Sequence, residues 1–205
     1  NCNRYNNYDF QGHYLWEDSR AAVEIWSKRI GAPLITIIGG EPTLHPDLDS
    51  WVKGICQAWP DTSVMIQTNG TVPVDKFGFR ERYPRIGFGV AVHSEQFYKK
   101  FANRWQEETF DATKFTECAL IDQGDKFTVH DSDPDAAFRC CTMRHSHTML
   151  NGRLYKCPMP AVLPEFRKQY QVDLTEKQAN LLYSYQSLGP ECSDSELEQF
   201  VRDED

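Results

Sequence analysis

The run Leu34-Ile35-Thr36-Ile37-Ile38 constrains the fold more than any other stretch of this sequence. It has no polar alternation, is rich in β-branched residues, and is closed by Pro33 on one side and Gly39-Gly40 on the other. Such a run reads as a strand buried on both faces of its sheet. The flanking sequence supplies the covering helices. Ala22, Ile25, Trp26 and Ile30 recur at helical spacing over 17–30, and Leu48, Trp51, Val52, Ile55, Cys56 and Trp59 form a continuous stripe that Pro60 stops. A strand over 64–67, a turn at Asn69-Gly70 and a poorly patterned stretch to Arg82 follow. Ile86–Val92 is a further strand, with Gly87 and Gly89 permitting close backbone approach. Ser94 is placed to cap a helix bearing Phe97, Tyr98 and Phe101. The segments 115–121 and 127–129 read as strands joined at Gln123-Gly124-Asp125. Apolar strands alternating with helices predict an α/β fold with a parallel sheet, open or curled into a partial barrel.

Composition narrows the function. Of 205 residues 40% are apolar and 13% aromatic, enough for a substantial core. Lys and Arg number 22 against 30 Asp and Glu, and the resulting charge of −8 argues against nucleic acid or an anionic membrane as the main partner. No apolar run approaches the roughly 20 residues that span a bilayer, and no secretory signal opens the chain. Seven cysteines, an odd number without a repeated short spacing, do not form a secreted disulfide framework. They suit a reducing compartment in which some thiols bind metal. The expectation is a cytoplasmic enzyme.

The character changes after Asp131. Asp131-Ser132-Asp133-Pro134-Asp135 reads as an acidic, linker-like turn, and Cys140, Cys141, His145, His147 and Cys157 then fall within 18 positions. Asn151-Gly152 between Thr148-Met149-Leu150 and Arg153-Leu154-Tyr155 is a strong hairpin signal. Thr175 with Gln178 and Ser193 with Glu196 are capping boxes that open helices. The division expected is a core over 1–133 and a metal-rich appendage over 134–205, with no internal repeat.

Polar residues gather just past the strands: Glu41 after the first, Thr68 and Asn69 after the second, His93 and Ser94 after the third. In parallel α/β folds such positions collect at the carboxyl ends of the strands, where ligands bind. Gly39-Gly40 offers backbone that a ligand can approach, Pro42 stiffens the loop, and Glu41 is suited to an ammonium group. Taken alone, Gly-Gly-Glu-Pro reads equally as a turn with a solvated acid.

It does not stand alone. Gly39-Gly40-Glu41-Pro42-Thr43-Leu44-His45-Pro46-Asp47-Leu48 closely resembles the second signature of the radical S-adenosylmethionine enzymes, and Thr68-Asn69-Gly70-Thr71 resembles the next strand end of that family. The resemblance covers roughly residues 1–130. It implies a partial (β/α) barrel whose Gly39, Gly40 and Glu41 segment binds the amino group of the methionine moiety, with Pro42, Thr68 and Asn69 lining the cofactor site. The implied activity is reductive cleavage of S-adenosylmethionine to a 5′-deoxyadenosyl radical for hydrogen abstraction. An electron donor would be a partner, and a peptide or protein the first-choice substrate. A small-molecule substrate is the alternative, as is a non-catalytic metal-binding relative of the fold.

The first signature of the family, CxxxCxxC, holds a [4Fe–4S] cluster through soft thiolates. Only Cys2 stands here, where its third cysteine would fall. The resemblance therefore implies a fragment without the first strand and the first two cluster ligands, inactive by itself; an incidental thiol is the competing account of Cys2. Cys141-x10-Gly152-x4-Cys157 resembles the opening of the SPASM and twitch auxiliary-cluster regions, again truncated. That implies a second iron–sulfur cluster with Cys140, Cys141, Cys157 and Cys192 as ligands, Cys141 preferred over its neighbour. A tetrahedral zinc site from Cys141, His145, His147 and Cys157 competes with it. His45 reads as shaping its loop, His93 as a pocket residue or a structural histidine, and Cys56 and Cys118 as structural thiols. Tyr5, Tyr8, Phe10 and His13 either cover the cofactor or pack the core, and Trp16, Trp26, Trp51, Trp59 and Trp105 are mostly packing.

Overall fold

The computed structural model describes residues 12–92, 108–111, 120–131, 133–141 and 146–202. The chain divides into two compact units, one of them His13–Lys114 and the other containing Phe115–Asp205.

The first unit is built on a four-stranded sheet of β1 (Leu34–Ile37), β2 (Ser63–Thr68), β3 (Ile86–Val92) and β4 (Glu108–Asp111), in that spatial order and with all three pairings parallel. The α/β class and the parallel sheet expected from the apolar strands are thus present. Helix α1 (Trp16–Ser27) precedes β1, α2 (Leu48–Ala58) connects β1 to β2, and a 3-10 turn (Val74–Phe77) with the short α3 (Phe79–Arg82) connects β2 to β3. The stretch without clear pattern before Arg82 is therefore largely helical turns. Val64, Ile66 and Thr68 put alternate side chains of β2 into the core with Val23, Trp26 and Val52 of the helices.

Strand β1 departs from its reading as fully buried. It is an edge among the described strands, Leu34 is 48% exposed, and Ile35, Thr36 and Ile37 are only half-buried. An apolar run shows that a strand can be covered on both faces, but its position in the sheet decides whether it is.

Helices α1 and α2 pack on each other through Trp16, whose ring meets that of Trp51 edge-on with centroids 5.3 Å apart. The ring of Trp16 lies where a side chain on Gly54 would be: an ideal Cβ there would stand 2.1 Å from Trp16 Cζ2. Trp59 donates from Nε1 to the Ile30 carbonyl at 2.7 Å, and Thr62 Oγ1 donates to the Ala32 carbonyl at 2.7 Å. These two bonds tie the ends of the helices to the start of β1. Of the five tryptophans, Trp16, Trp26 and Trp59 are buried, Trp51 is half-buried, and Trp105 lies outside the described residues.

In the second unit β5 (Leu120–Asp122) and β6 (Phe127–Val129) pair antiparallel, and β6 pairs in parallel with β9 (Val172–Asp173). The hairpin expected at 123–125 is there, but its sheet partner is β9. The rest of the expected strand at 115–121, up to residue 119, lies outside the described residues. Leu120, Phe127, Leu163, Phe166 and Val172 form the core of this unit. Two of them come from α5 (Pro158–Arg167), a helix that its own prolines conceal. Pro158 occupies the first helical position, where no N–H is needed, while Pro164 sits inside the helix without a donor to give. Burial of Ala161, Leu163 and Phe166 on one face holds the helix in spite of that.

The acidic turn at 131–135 is the start of a helix, α4 (Pro134–Cys140): Asp133 Oδ1 accepts from the amides of Asp135 at 2.9 Å and Ala136 at 3.1 Å. Strands β7 (Thr148–Leu150) and β8 (Arg153–Tyr155) form the expected hairpin, with Leu150 opposite Arg153. Asn151 at φ 50° and Gly152 at φ 72° both take the left-handed conformation that a two-residue type I′ turn demands. Both capping boxes are formed. Thr175 and Gln178 exchange bonds of 2.9 and 3.2 Å to open α6 (Glu176–Ser184), and Ser193 and Glu196 exchange bonds of 2.7 and 3.2 Å to open α7 (Asp194–Arg202). No helix among the described residues is long and apolar enough to cross a membrane.

Candidate functional site

The parallel register of β1 and β2 brings the two polar loops together. Ile37 pairs with Ile66, so carrying the ladder forward sets the Gly39 level beside Thr68. Gly39 and Gly40 carry the chain off β1; an ideal Cβ built on Gly39 would meet nothing within 4 Å, and Gly40 is exposed. Glu41 then takes an extended conformation and opens a 3-10 turn over Pro42–Leu44, with Pro42 in the first position.

A glutamate is not a usual N-cap, since the residues favoured there have shorter side chains. Glu41 folds back because its carboxylate is held from two loops at once. Oε1 accepts from the Thr43 amide at 3.1 Å, from the Thr43 hydroxyl in a short bond, and from the Thr68 hydroxyl at 2.6 Å. Oε2 accepts from the Asn69 amide at 2.7 Å. Thr68 Oγ1 in turn accepts from the Gly70 amide at 3.0 Å, and Asn69 Oδ1 accepts from the Thr71 amide at 2.9 Å. Thr68 is 1% exposed and Thr43 7%, so neither hydroxyl faces solvent. The carboxylate itself is half-buried. Every donor named here is neutral.

The next residues anchor this loop to α1. His45 accepts from the Asp47 amide at Nδ1, 3.0 Å away, which assigns its proton to Nε2. Asp47 Oδ2 accepts from the Trp16 amide at 2.8 Å, satisfying one of the donors that the first turn of α1 leaves open. Bonding to Ser50 above all, then to the Trp16 amide, holds the Asp47 carboxyl below its ordinary value. The rings of His13 and His45 meet edge-on with centroids 5.2 Å apart. Burial first, and the charge His13 would carry second, push His45 below the ordinary histidine value. His45 thus shapes its loop as the sequence reading had it, and His13 belongs to the same cluster.

Of the predicted site residues, Gly39, Gly40, Glu41, Pro42, Thr68 and Asn69 therefore come together in one place. Thr43 is the member that sequence reasoning missed. Its signal was a hydroxyl two residues beyond Glu41, the spacing at which a side chain bonds locally to the start of a helical turn. Cys2, Tyr5, Tyr8, Phe10, His93 and Ser94 lie outside the described residues.

The thiols of the second unit are distributed along separate elements. Cys140 ends α4 and Cys141 caps it, exposed; Cys157 is exposed at the start of α5; Cys192 is half-buried in the turn before α7, its amide on the Gly189 carbonyl at 3.1 Å. Among the described residues no three His, Cys, Asp or Glu side chains converge as a metal site, and His145 and Cys118 lie outside them. Cys56, half-buried on α2, is pushed above the ordinary thiol value by burial, as befits a structural thiol.

No known family model matches the chain, and a search of curated proteins returns no match.

Proposed function

We propose that the first unit binds S-adenosylmethionine at the carboxyl ends of β1 and β2, as part of a radical S-adenosylmethionine enzyme. The observation that carries this reading is the state of Glu41: a half-buried carboxylate gripped by four bonds from neutral donors, with no cationic partner among the described residues. A carboxylate has about four acceptor positions on two oxygens. Oε1 carries three donors and Oε2 one, so the acceptor capacity left over is at Oε2. A positively charged amine fits that vacancy in charge and in hydrogen bonding. The space where a side chain on Gly39 would stand is open as well.

The sheet topology supports the same reading. Its spatial order follows chain order without reversal, as in (β/α) barrels, whereas a doubly wound sheet reverses at a switch point. A partial barrel is the architecture proposed for the complete protein.

Glu41 and the backbone of Gly39-Gly40 would hold the methionine portion of the cofactor, and the Asn69 turn would form the adjoining wall. What S-adenosylmethionine supplies when bound in such an enzyme is hydrogen-atom abstraction by its 5′-deoxyadenosyl portion, started by an electron from an iron–sulfur cluster. This chain contributes orientation and the exclusion of solvent from that chemistry. Cys2 is the proposed thiolate for the cluster. Cys140, Cys141, Cys157 and Cys192 are proposed for an auxiliary one, with a peptide or protein as substrate and a protein electron donor as partner.

The test uses full-length protein purified without oxygen and reconstituted with iron and sulfide. Roughly four irons per chain, with a reduced spectrum that changes on adding S-adenosylmethionine, support the reading, and about eight support the auxiliary cluster as well. Zinc in place of iron, or no cluster, overturns it.

A further inference from the structure

The two threonines beside Glu41 present an arrangement that a simple loop does not require. Thr43 lies in the 3-10 turn after β1 and Thr68 ends β2, both are buried, and both direct their hydroxyl protons at the same oxygen, Glu41 Oε1. Thr68 is committed twice, since its oxygen also accepts the Gly70 amide. A hydroxyl so engaged and 1% exposed has no means of touching a ligand directly. Its effect on anything bound at the strand ends must pass through the carboxylate.

We propose that Thr43 and Thr68 are positioning residues for cation recognition by Glu41. By placing three donors on Oε1, an oxygen with two lone pairs, they and the Thr43 amide fix which carboxylate oxygen is spent on the protein. Oε2, with only the Asn69 amide, is then the oxygen that meets the ammonium group. The arrangement also locks the Gly39-Gly40 loop to the Asn69-Gly70 turn, because one carboxylate bridges them. Without the two hydroxyls the carboxylate would be free to rotate, and both its orientation and the bond to Asn69 would be lost for part of the time. This inference rests on the proposed S-adenosylmethionine site for the identity of the ligand, but the brace itself is readable in the protein without it.

The experiment compares Thr68→Val, Thr68→Ser and Thr43→Val with Glu41→Ala in full-length, cluster-loaded protein, measuring equilibrium binding of S-adenosylmethionine and exchange of the Asn69 amide. Thr68→Val weakens binding about tenfold or more, the loss expected for a hydrogen bond to a charged group, and Thr68→Ser restores it. Combining Thr68→Val with Glu41→Ala gives no loss beyond that of Glu41→Ala, because the threonine acts only through the acid. The Asn69 amide exchanges faster in Thr68→Val and Glu41→Ala, and slowly again in Thr68→Ser. If Thr68→Val does not fold, Thr43→Val, which keeps the Gly70 bond, carries the same expectations.

Additive losses in the double variant, failure of serine to rescue, or slow Asn69 exchange in the valine variants would overturn the positioning role. Absence of S-adenosylmethionine binding by cluster-loaded wild-type protein overturns the proposed function instead, and amide exchange then decides the brace alone.

Discussion

Replacing Gly54 by alanine is expected to destabilise the first unit, against the sign that helix propensity alone gives. In an exposed helix interior, Gly to Ala gains about 1 kcal/mol. Gly54 is buried in α2, however, and an added Cβ would lie 2.1, 2.3 and 2.4 Å from three atoms of the Trp16 indole. Real side chains do not approach so closely, so the indole or the helix must move by more than an ångström. The indole is poorly placed to yield. It is 8% exposed, it stacks edge-on against Trp51, and its own amide is bonded to Asp47. Overpacking of this kind costs about 1–3 kcal/mol, occasionally more. Set against the propensity gain, the net expectation is a loss of about 1 kcal/mol, the middle of a range of about 0–2 kcal/mol. Urea unfolding followed by tryptophan fluorescence would read it as a lower midpoint at unchanged slope. Substituting Trp16 by leucine removes the obstructing ring, and in that background Gly54→Ala should be neutral or stabilising. A Gly54→Ala protein as stable as wild type, or the same loss in both backgrounds, would refute the assignment of this glycine to the Trp16 contact.

Acid should loosen the loop around Glu41 in two stages. His45, held below the ordinary histidine value of 6.5, contributes stability that is present above that value and lost as pH falls through its lower folded value. His45→Asn, which can keep an acceptor for the Asp47 amide, should remove that dependence from urea midpoints measured between pH 7 and 5, while a profile unchanged from wild type would exclude His45 as its source. Asp47, held below 3.8, adds a second loss of the same sign at more acid pH, which Asp47→Asn should abolish. In the second unit, Gly152→Ala forces a Cβ onto φ 72° and should cost about 1 kcal/mol, read as a lower urea midpoint; an unaffected midpoint would mean that the turn does not support this unit.

The elements easiest to read were those whose signal is local. The stripe from Leu48 to Trp59 gave α2 almost to the residue, because a helical face repeats within a window shorter than the helix. Asn151-Gly152 gave its hairpin and the two capping boxes gave their helices, since each motif holds both donor and acceptor within four residues. Where local and tertiary preferences disagree, local pattern fails. Three prolines hid α5, and only the burial of Leu163 and Phe166 against Phe127 explains why that segment is helical. Asp133-Pro134 read as a linker because its cap and first-position proline resemble any acidic turn until the amides of Asp135 and Ala136 are seen to use the cap.

The site itself falls between these cases. Glu41 and Thr68 are separated by 27 positions, and no pattern within either loop joins them. What joins them is the parallel register of β1 on β2, which brings successive strand ends to one level. Parallel pairing could be inferred from the apolar strands, so the place where the polar residues meet was legible. Their division of labour was not. The sequence offers Glu41, Thr43, Thr68 and Asn69 as four polar groups of equal standing, all apparently ready for a ligand. Hydrogen bonding separates them into hydroxyls consumed within the protein and a single oxygen with capacity to spare. This has a consequence for any mutational study of the site. Glu41→Ala removes the oxygen proposed to meet the cation and the clasp between two loops together, so its effect on binding alone cannot distinguish recognition from collapse. Glu41→Gln keeps one oxygen to accept from the Thr43 amide and the Thr43 and Thr68 hydroxyls, and then sets an amide NH2 in the place of Oε2, where the cation would bind. If recognition is electrostatic, the glutamine variant should retain slow exchange of the Thr43 amide, which bonds to the oxygen that is kept, yet bind S-adenosylmethionine as poorly as the alanine variant does. Binding close to wild type in Glu41→Gln would show that the charge of this acid is dispensable, and with it the case for an ammonium ligand.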